Sequence, residues 1–179
     1  MVKPIASFVG SRFFYLDFKF EDKGVAVKMM PSNDCFVCRK HNGELQVNGG
    51  CIYEDEFVYV GHIGSNEPLI YWGYLIVDLK RHAAGYGDMN DDEARAIGSI
   101  LNKLGRVLKN SENAEHVYSF VQGDAFPHFH IHLIPRYPDT PKEFWHPTNI
   151  RNYKEVHGTV NQVDEVCSRL RGDLQREIE

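Results

Sequence analysis

Hydrophobic and polar positions alternate along "RFFYLDFKF", with Phe14, Leu16, Phe18 and Phe20 on one side and Asp17 and Lys19 on the other, the period of a half-buried strand. "EDKG" then turns the chain into "VAVKMM", so residues 1–32 are expected to form an N-terminal β-hairpin. A polar stretch, "PSNDCFVCRKHNGE", precedes two further strands, "EFVYVGHI" and "YWGYLIV", joined by the turn-rich "GSNEP". The second of these is apolar on both faces, as a central strand is. The period changes at Asn90, where "NDDE" supplies an N-cap with Glu93 three residues on. Ile97, Ile100, Leu101, Leu104, Val107 and Leu108 follow at helical spacing. Gly98 and Gly105 interrupt that helix and mark either close backbone packing or tolerated weak points. "EHVYSFVQG" and "HFHIHLI" read as two more strands, and a proline-rich loop runs from Pro138 to Pro147. "TVNQ" is a second capping box, opening a C-terminal helix at Thr159 with Val160, Val163, Cys167, Leu170 and Leu174 on one stripe. Strands, one long helix, then more strands predict an α+β domain with a mainly antiparallel sheet.

The strand "HFHIHLI" carries His128, His130 and His132 at every second position, between Pro127 and Pro135. Side chains two apart share a face, with neighbours about 6.6 Å apart at a rise of ~3.3 Å per residue, while Phe129, Ile131 and Leu133 turn to the core. A lone strand histidine is most often a half-exposed surface group. Three in register point to chemistry, because imidazole is the side chain that serves as nucleophile, general acid or metal ligand near neutrality. Two chemistries fit the spacing. All three rings can bind one metal with water in an open position, or a neutral ring can attack phosphorus while a neighbour protonates the departing oxygen.

With 179 residues, 42% of them hydrophobic, the chain suits one domain with a sizeable core. Its formal charge of −5 gives no overall attraction for a nucleic-acid polymer or an anionic membrane. The longest apolar run, "IYWGYLIV", is too short to span a bilayer, and "MVKPIASFVG" lacks the apolar core of a signal peptide, so a soluble cytoplasmic protein is expected. Four cysteines, at 35, 38, 51 and 167, do not form a secreted disulfide framework, and the C-x-x-C pair points to a metal.

The motif "HFHIHLIPR" resembles the signature of the histidine-triad (HIT) family, His-φ-His-φ-His-φ-φ with φ apolar. "YLIVDLKRH" is similar to that family's "LVIPKxH" segment, and "EDEFVYV", the 90–108 helix and "VYSFVQGDAF" fall in the family's order. The resemblance covers about residues 33–146. It implies a HIT domain at 33–149, with the N-terminal hairpin and a C-terminal helical part at 150–179 as extensions for extra core or dimer contacts. It further implies a homodimeric hydrolase or nucleotidyl transferase acting at the α-phosphate of a small nucleotide, a dinucleoside polyphosphate or a nucleoside phosphoramidate. By position, His130 would be the nucleophile and His132 would assist the leaving group. In zinc-containing members, and in the related galactose-1-phosphate uridylyltransferases, a C-x-x-C joins the histidine of the "K-x-H" segment and the first histidine of the triad. Here these are Cys35, Cys38, His82 and His128, a closed set whose zinc would be structural and would orient His128 beside the nucleophile. A local set, Cys35, Cys38, His41 and Cys51, is one rival, and no metal at all is the other.

The chain departs from the family's pattern at "DAFP", where many members have "GQSV" or "GQTV", and His62 stands where an acidic residue often meets the ribose. Gln122 and Gly123 would then contact the phosphate from a shifted loop, with Arg136 either offering a cation or standing in solvent, and Trp145 either offering a stacking surface or packing in a core or interface. A nucleotide-binding or interaction module stapled by zinc, with little turnover, is the competing reading, and a metallohydrolase with the whole triad on one metal is a third.

Overall fold

A computed structural model gives the fold and describes residues 35–65, 67–124 and 126–179; the expected N-terminal hairpin lies outside them. Five strands form one antiparallel sheet: β1 (Cys51–Glu54), β2 (Val58–His62), β4 (Leu75–Leu79), β6 (His130–Arg136) and β5 (His116–Val121), in the spatial order β1-β2-β4-β6-β5. β3 (Ile70–Tyr71) leaves this sheet and pairs with β7 (His157–Gly158). α1 (Phe36–His41) precedes the sheet, α2 (Asp91–Ser111) links β4 to β5, and α3 (Val160–Ile178) ends the chain. Within the described residues this is the expected α+β class.

Both long helices begin as their sequences predict. Asn90 Oδ1 accepts from the Glu93 amide while Glu93 Oε2 accepts from the Asn90 amide, each at 2.9 Å, and Thr159 and Gln162 make the corresponding exchange for α3. The stripe on α2 is buried at Ile97, Ile100, Leu104, Val107 and Leu108, and α3 adds Val163, Val166, Cys167, Leu170 and Leu174 to the same core. Val160, expected on that stripe, is exposed because it sits in the first turn, before the helix reaches the sheet. A Cβ at Gly98 or Gly105 would meet nothing within 4 Å, so these glycines are weak points in the helix and not close contacts.

Alternation along the strands assigns the two faces. Val58, Val60, Leu75, Val77, Leu79, Ile131 and Leu133 meet the helices, whereas Ile76, Asp78, His130 and His132 face the other way and line a pocket. The expected strand "YWGYLIV" is two pieces. Gly73 has φ +64°, and a Cβ there would lie 2.9 Å from Tyr137 Oη, so the chain turns at a position where only glycine fits and the central strand starts at Leu75. Pro135 also falls inside β6 and not at its end. Past Leu133 the strand has lost β4 and pairs with β5 alone, a setting that tolerates a residue without an amide hydrogen.

Candidate active site

α1 is a single turn and a half. It starts at Cys35, whose carbonyl accepts from the Arg39 amide at 3.0 Å, and its spacing turns Cys35 and Cys38 toward the sheet. Cys35 Sγ and Cys38 Sγ each lie 3.4 Å from His128 Nδ1, and Cys38 Sγ lies 3.4 Å from His82 Nδ1. All four ligand atoms fall within 4.8 Å of one another. Two ligands on a tetrahedral zinc, at about 2.3 Å for sulfur and 2.0 Å for nitrogen, are about 3.5 Å apart, so the set fits. Its chemistry agrees: burial and the facing Cys35 hold the Cys38 thiol up at about 11, and a cation between the sulfurs is what makes both thiolates stable. His128 Nε2–H donates to the Leu79 carbonyl at 2.6 Å, which leaves the Nδ1 lone pair for the metal. A structural zinc fits Cys35, Cys38, His82 and His128. The local rival does not form, since His41 Nε2 bonds Asp78 at 3.3 Å and Cys51 lies beside Tyr59 and Arg171.

The three triad histidines therefore do not form one ladder. β6 begins at His130. His128 precedes it in a bend fixed by Pro127 and by the Phe129 amide, which donates to the Ala83 carbonyl at 2.6 Å; its ring turns to the thiols and does not line the pocket. An arrangement with all three rings on one metal is absent among the described residues, because the other two are held elsewhere. His130 Nδ1–H donates to the His128 carbonyl at 2.6 Å. His132 Nδ1 lies 2.8 Å from Tyr74 Oη, and its ring stacks on Phe120 with centroids 4.7 Å apart and 6° between planes. Burial is the main reason the His132 ring is held down to about 4, so it is neutral at pH 7. The His130 and His132 centroids are 5.0 Å apart.

The pocket beside them, of about 410 Å³, is lined by α1 (Phe36, Val37, Lys40), by 46–48 and 62–65, and by Ile76, Asp78 and Phe126. Four expected substrate contacts lie outside this lining. Gln122 is exposed and Gly123 half-buried in the loop after β5. Arg136 and Trp145 meet each other: the guanidinium carbon is 3.7 Å from the indole centroid, Nη2 donates to Glu115 at 2.9 Å, and the indole N–H donates to the Thr140 carbonyl at 2.7 Å. Arg136 sits six residues past His130 on one strand, roughly 20 Å away. His62 does line the pocket; it is 2% exposed, its Nδ1–H donates to the Ile63 carbonyl at 3.1 Å, and its Nε2 has no partner among the described residues.

Sequence reasoning missed the charges in the pocket wall. Lys40 and His41 both bond Asp78, whose carboxylate is fully buried near the C-terminal end of β4. The available signal was an aspartate inside the apolar run "YLIVDL" of a strand expected to be central, since a buried charge requires a partner.

No protein-family model matches the chain. It is 28% identical over 142 residues, 77% of its length, to an uncharacterized HIT-like protein of Methanocaldococcus jannaschii, 99% of which is covered. Among solved structures it resembles a zinc-bound histidine triad family protein from Mycobacterium smegmatis, with TM-score 0.61 and 16% identity over 83% of this chain and 98% of that one. It also resembles the Plasmodium falciparum diadenosine triphosphate hydrolase solved in complex with cyclomarin A, with TM-score 0.52 and 17% identity over 72% of this chain and 78% of that one.

Proposed function

We propose that this chain, a HIT-like protein, cleaves a small nucleotide at its α-phosphorus through a nucleotidyl-His130 intermediate. HIT proteins are in general nucleotide hydrolases or transferases, and the chain's own geometry supports that use. The observation that carries the reading is the bond from His130 Nδ1–H to the His128 carbonyl: it places a hydrogen on Nδ1, so the lone pair of the neutral ring is on Nε2 at the pocket. That lone pair forms a P–N bond as the P–O bond to the leaving group breaks. With the Tyr74 hydroxyl donating to Nδ1 of His132, the neutral His132 ring carries its hydrogen on Nε2 and donates a hydrogen bond to the departing oxygen, which leaves as a phosphate anion. Water then attacks phosphorus, the P–N bond breaks, and the mononucleotide leaves. Zinc, when bound, supplies a fixed position for His128, and through the His128 carbonyl for the His130 ring.

The same reading takes the protein to be a cytoplasmic homodimer. No helix among the described residues is long and apolar enough to cross a membrane. The likeness to the diadenosine triphosphate hydrolase supports dinucleoside polyphosphates as the first substrates to test, with nucleoside phosphoramidates beside them. His130→Ala should lower release of mononucleotide by about a thousandfold or more while zinc content and melting temperature hold. Unchanged turnover in that variant removes His130 from the mechanism.

A second reading, a zinc-stapled nucleotide-binding module, is favoured by the position of Gln122 and Gly123 outside the pocket lining. Equilibrium binding of nucleotides with no product over hours selects it over the first.

A further inference from the structure

The pocket wall holds a charged pair that the reaction above does not use. Lys40 and Asp78 are joined in an ion pair whose side chains are 7% and 0% exposed. An ammonium has three N–H donors. One goes to Asp78 Oδ2, the Tyr59 ring lies 4.8 Å from the nitrogen, and no other acceptor takes a hydrogen bond from it among the described residues. His41 Nε2 also bonds Oδ2, and Asp78 Oδ1 is buried with no partner among the described residues. Unused donors thus sit beside an unused acceptor, both on residues that line the pocket holding His130 and His132. Polar groups left unmade in such a place are costly, so the wall suits a ligand that brings an acceptor and a donor side by side.

A phosphoryl group does not meet that description, since its oxygens only accept and Asp78 Oδ1 would repel them. A flat heterocycle does. Phe36 and Phe126 stand at the pocket with centroids 5.5 Å apart, and both are partly exposed, which provides aromatic surface against a ring. Register fixes the neighbourhood: Asp78 is opposite His130 and Ile76 is opposite His132 across the β4–β6 ladder, so the pair lies within the reach of one nucleoside from phosphorus at His130.

We infer that Lys40 and Asp78 form the specificity-determining pair that reads the edge of the nucleobase, and that this edge is a lactam, as in guanine, hypoxanthine or uracil. A lactam places a carbonyl oxygen next to a ring N–H. Lys40 donates to the carbonyl, the contact lysine makes with guanine O6 in DNA, and Asp78 Oδ1 accepts from the ring N–H in a charge-assisted bond. Adenine and cytosine offer a ring nitrogen and an amino group, a weaker match to an ammonium and a carboxylate.

The inference rests on the nucleotide reading, so its test uses binding to the zinc-loaded protein and not turnover. Dissociation constants are measured for GMP against AMP and for UMP against CMP, pairs of similar size that differ in this edge. Wild type should bind the lactam member of each pair about tenfold more tightly or better. The double variant Lys40→Met/Asp78→Leu, which removes both charges together and leaves His41 without its acceptor, should bind both members of each pair within about twofold while keeping its zinc. The milder Lys40→Gln/Asp78→Asn, whose neutral amides can turn a donor or an acceptor to either kind of edge, should weaken the preference and serves if the first does not fold. Equal binding of both members by wild type, tighter AMP and CMP, or a preference that survives in the variants overturns the assignment and leaves the His130 chemistry standing. Failure of all four nucleotides to bind overturns both.

Discussion

Tyr74 Oη lies 2.8 Å from Nδ1 of His132, joining the residue just before the central strand to the last histidine of the triad. The hydroxyl decides which ring nitrogen of His132 carries hydrogen, and so whether the ring can donate at the pocket. Tyr74→Phe keeps the packing on the ring and removes the bond. It should reduce turnover by up to about tenfold, the worth of one neutral hydrogen bond, with nucleotide affinity little changed. An unaltered rate in that variant would detach Tyr74 from the chemistry.

Zinc removal separates a structural ion from a catalytic one. The four ligands come from α1, the segment after β4 and the bend before β6, so the ion ties together distant parts of the chain. Cys35→Ser should lose zinc and melt about 10 °C or more below wild type, since each kcal/mol is worth about 2–4 °C in a chain of this size. Metal-free protein that melts with the wild type contradicts the assignment.

Acid should weaken the fold through His62. Burial holds its ring down to about 4, against an ordinary value of about 6.5. At pH 7 both folded and unfolded rings are largely neutral. Below about 6.5 the unfolded chain takes up a proton that the folded one refuses, so stability falls down to about pH 4, by about 1.4 kcal/mol for each unit from this group. Urea midpoints from pH 7.5 to 4.5 should decline in wild type and less steeply in His62→Phe. Parallel slopes in the two proteins would show that His62 is not the cause.

Gly49 should resist substitution. Its φ is +76°, and a Cβ there would lie 2.2 Å from Cys167 Sγ on α3. Gly49→Ala should cost about 2–5 kcal/mol in denaturant unfolding. Gly43→Ala, at φ +75° with nothing within 4 Å, isolates the backbone part of that cost and should be the milder change.

What the sequence made readable was local. Capping at Asn90 and Thr159 and the alternation of Phe129, Ile131 and Leu133 follow from neighbours a few residues apart, and the structure bears them out. The metal set was readable only through the family resemblance, since Cys35 and His128 are 93 residues apart. The common ladder failed because period two holds only inside a strand, and His128 stands before one. Arg136 and Trp145 failed because proximity in sequence does not tell how far an extended strand carries a side chain. The Lys40–His41–Asp78 group needed α1 to be laid across β4, which no local pattern reports.

The loop that shapes the pocket is held from the far end of the chain. Val47 and Asn48 line it, and the next residue is gripped by α3: the Gly49 amide donates to Asp164 at 2.8 Å, and Arg171 donates to the Gly49 and Cys51 carbonyls. A terminal helix with no group in the pocket lining thus acts as a tuning screw. Changes on its surface can reshape which molecule the hollow admits without touching an imidazole, so altered selectivity can arise from the part of the protein with the least chemistry.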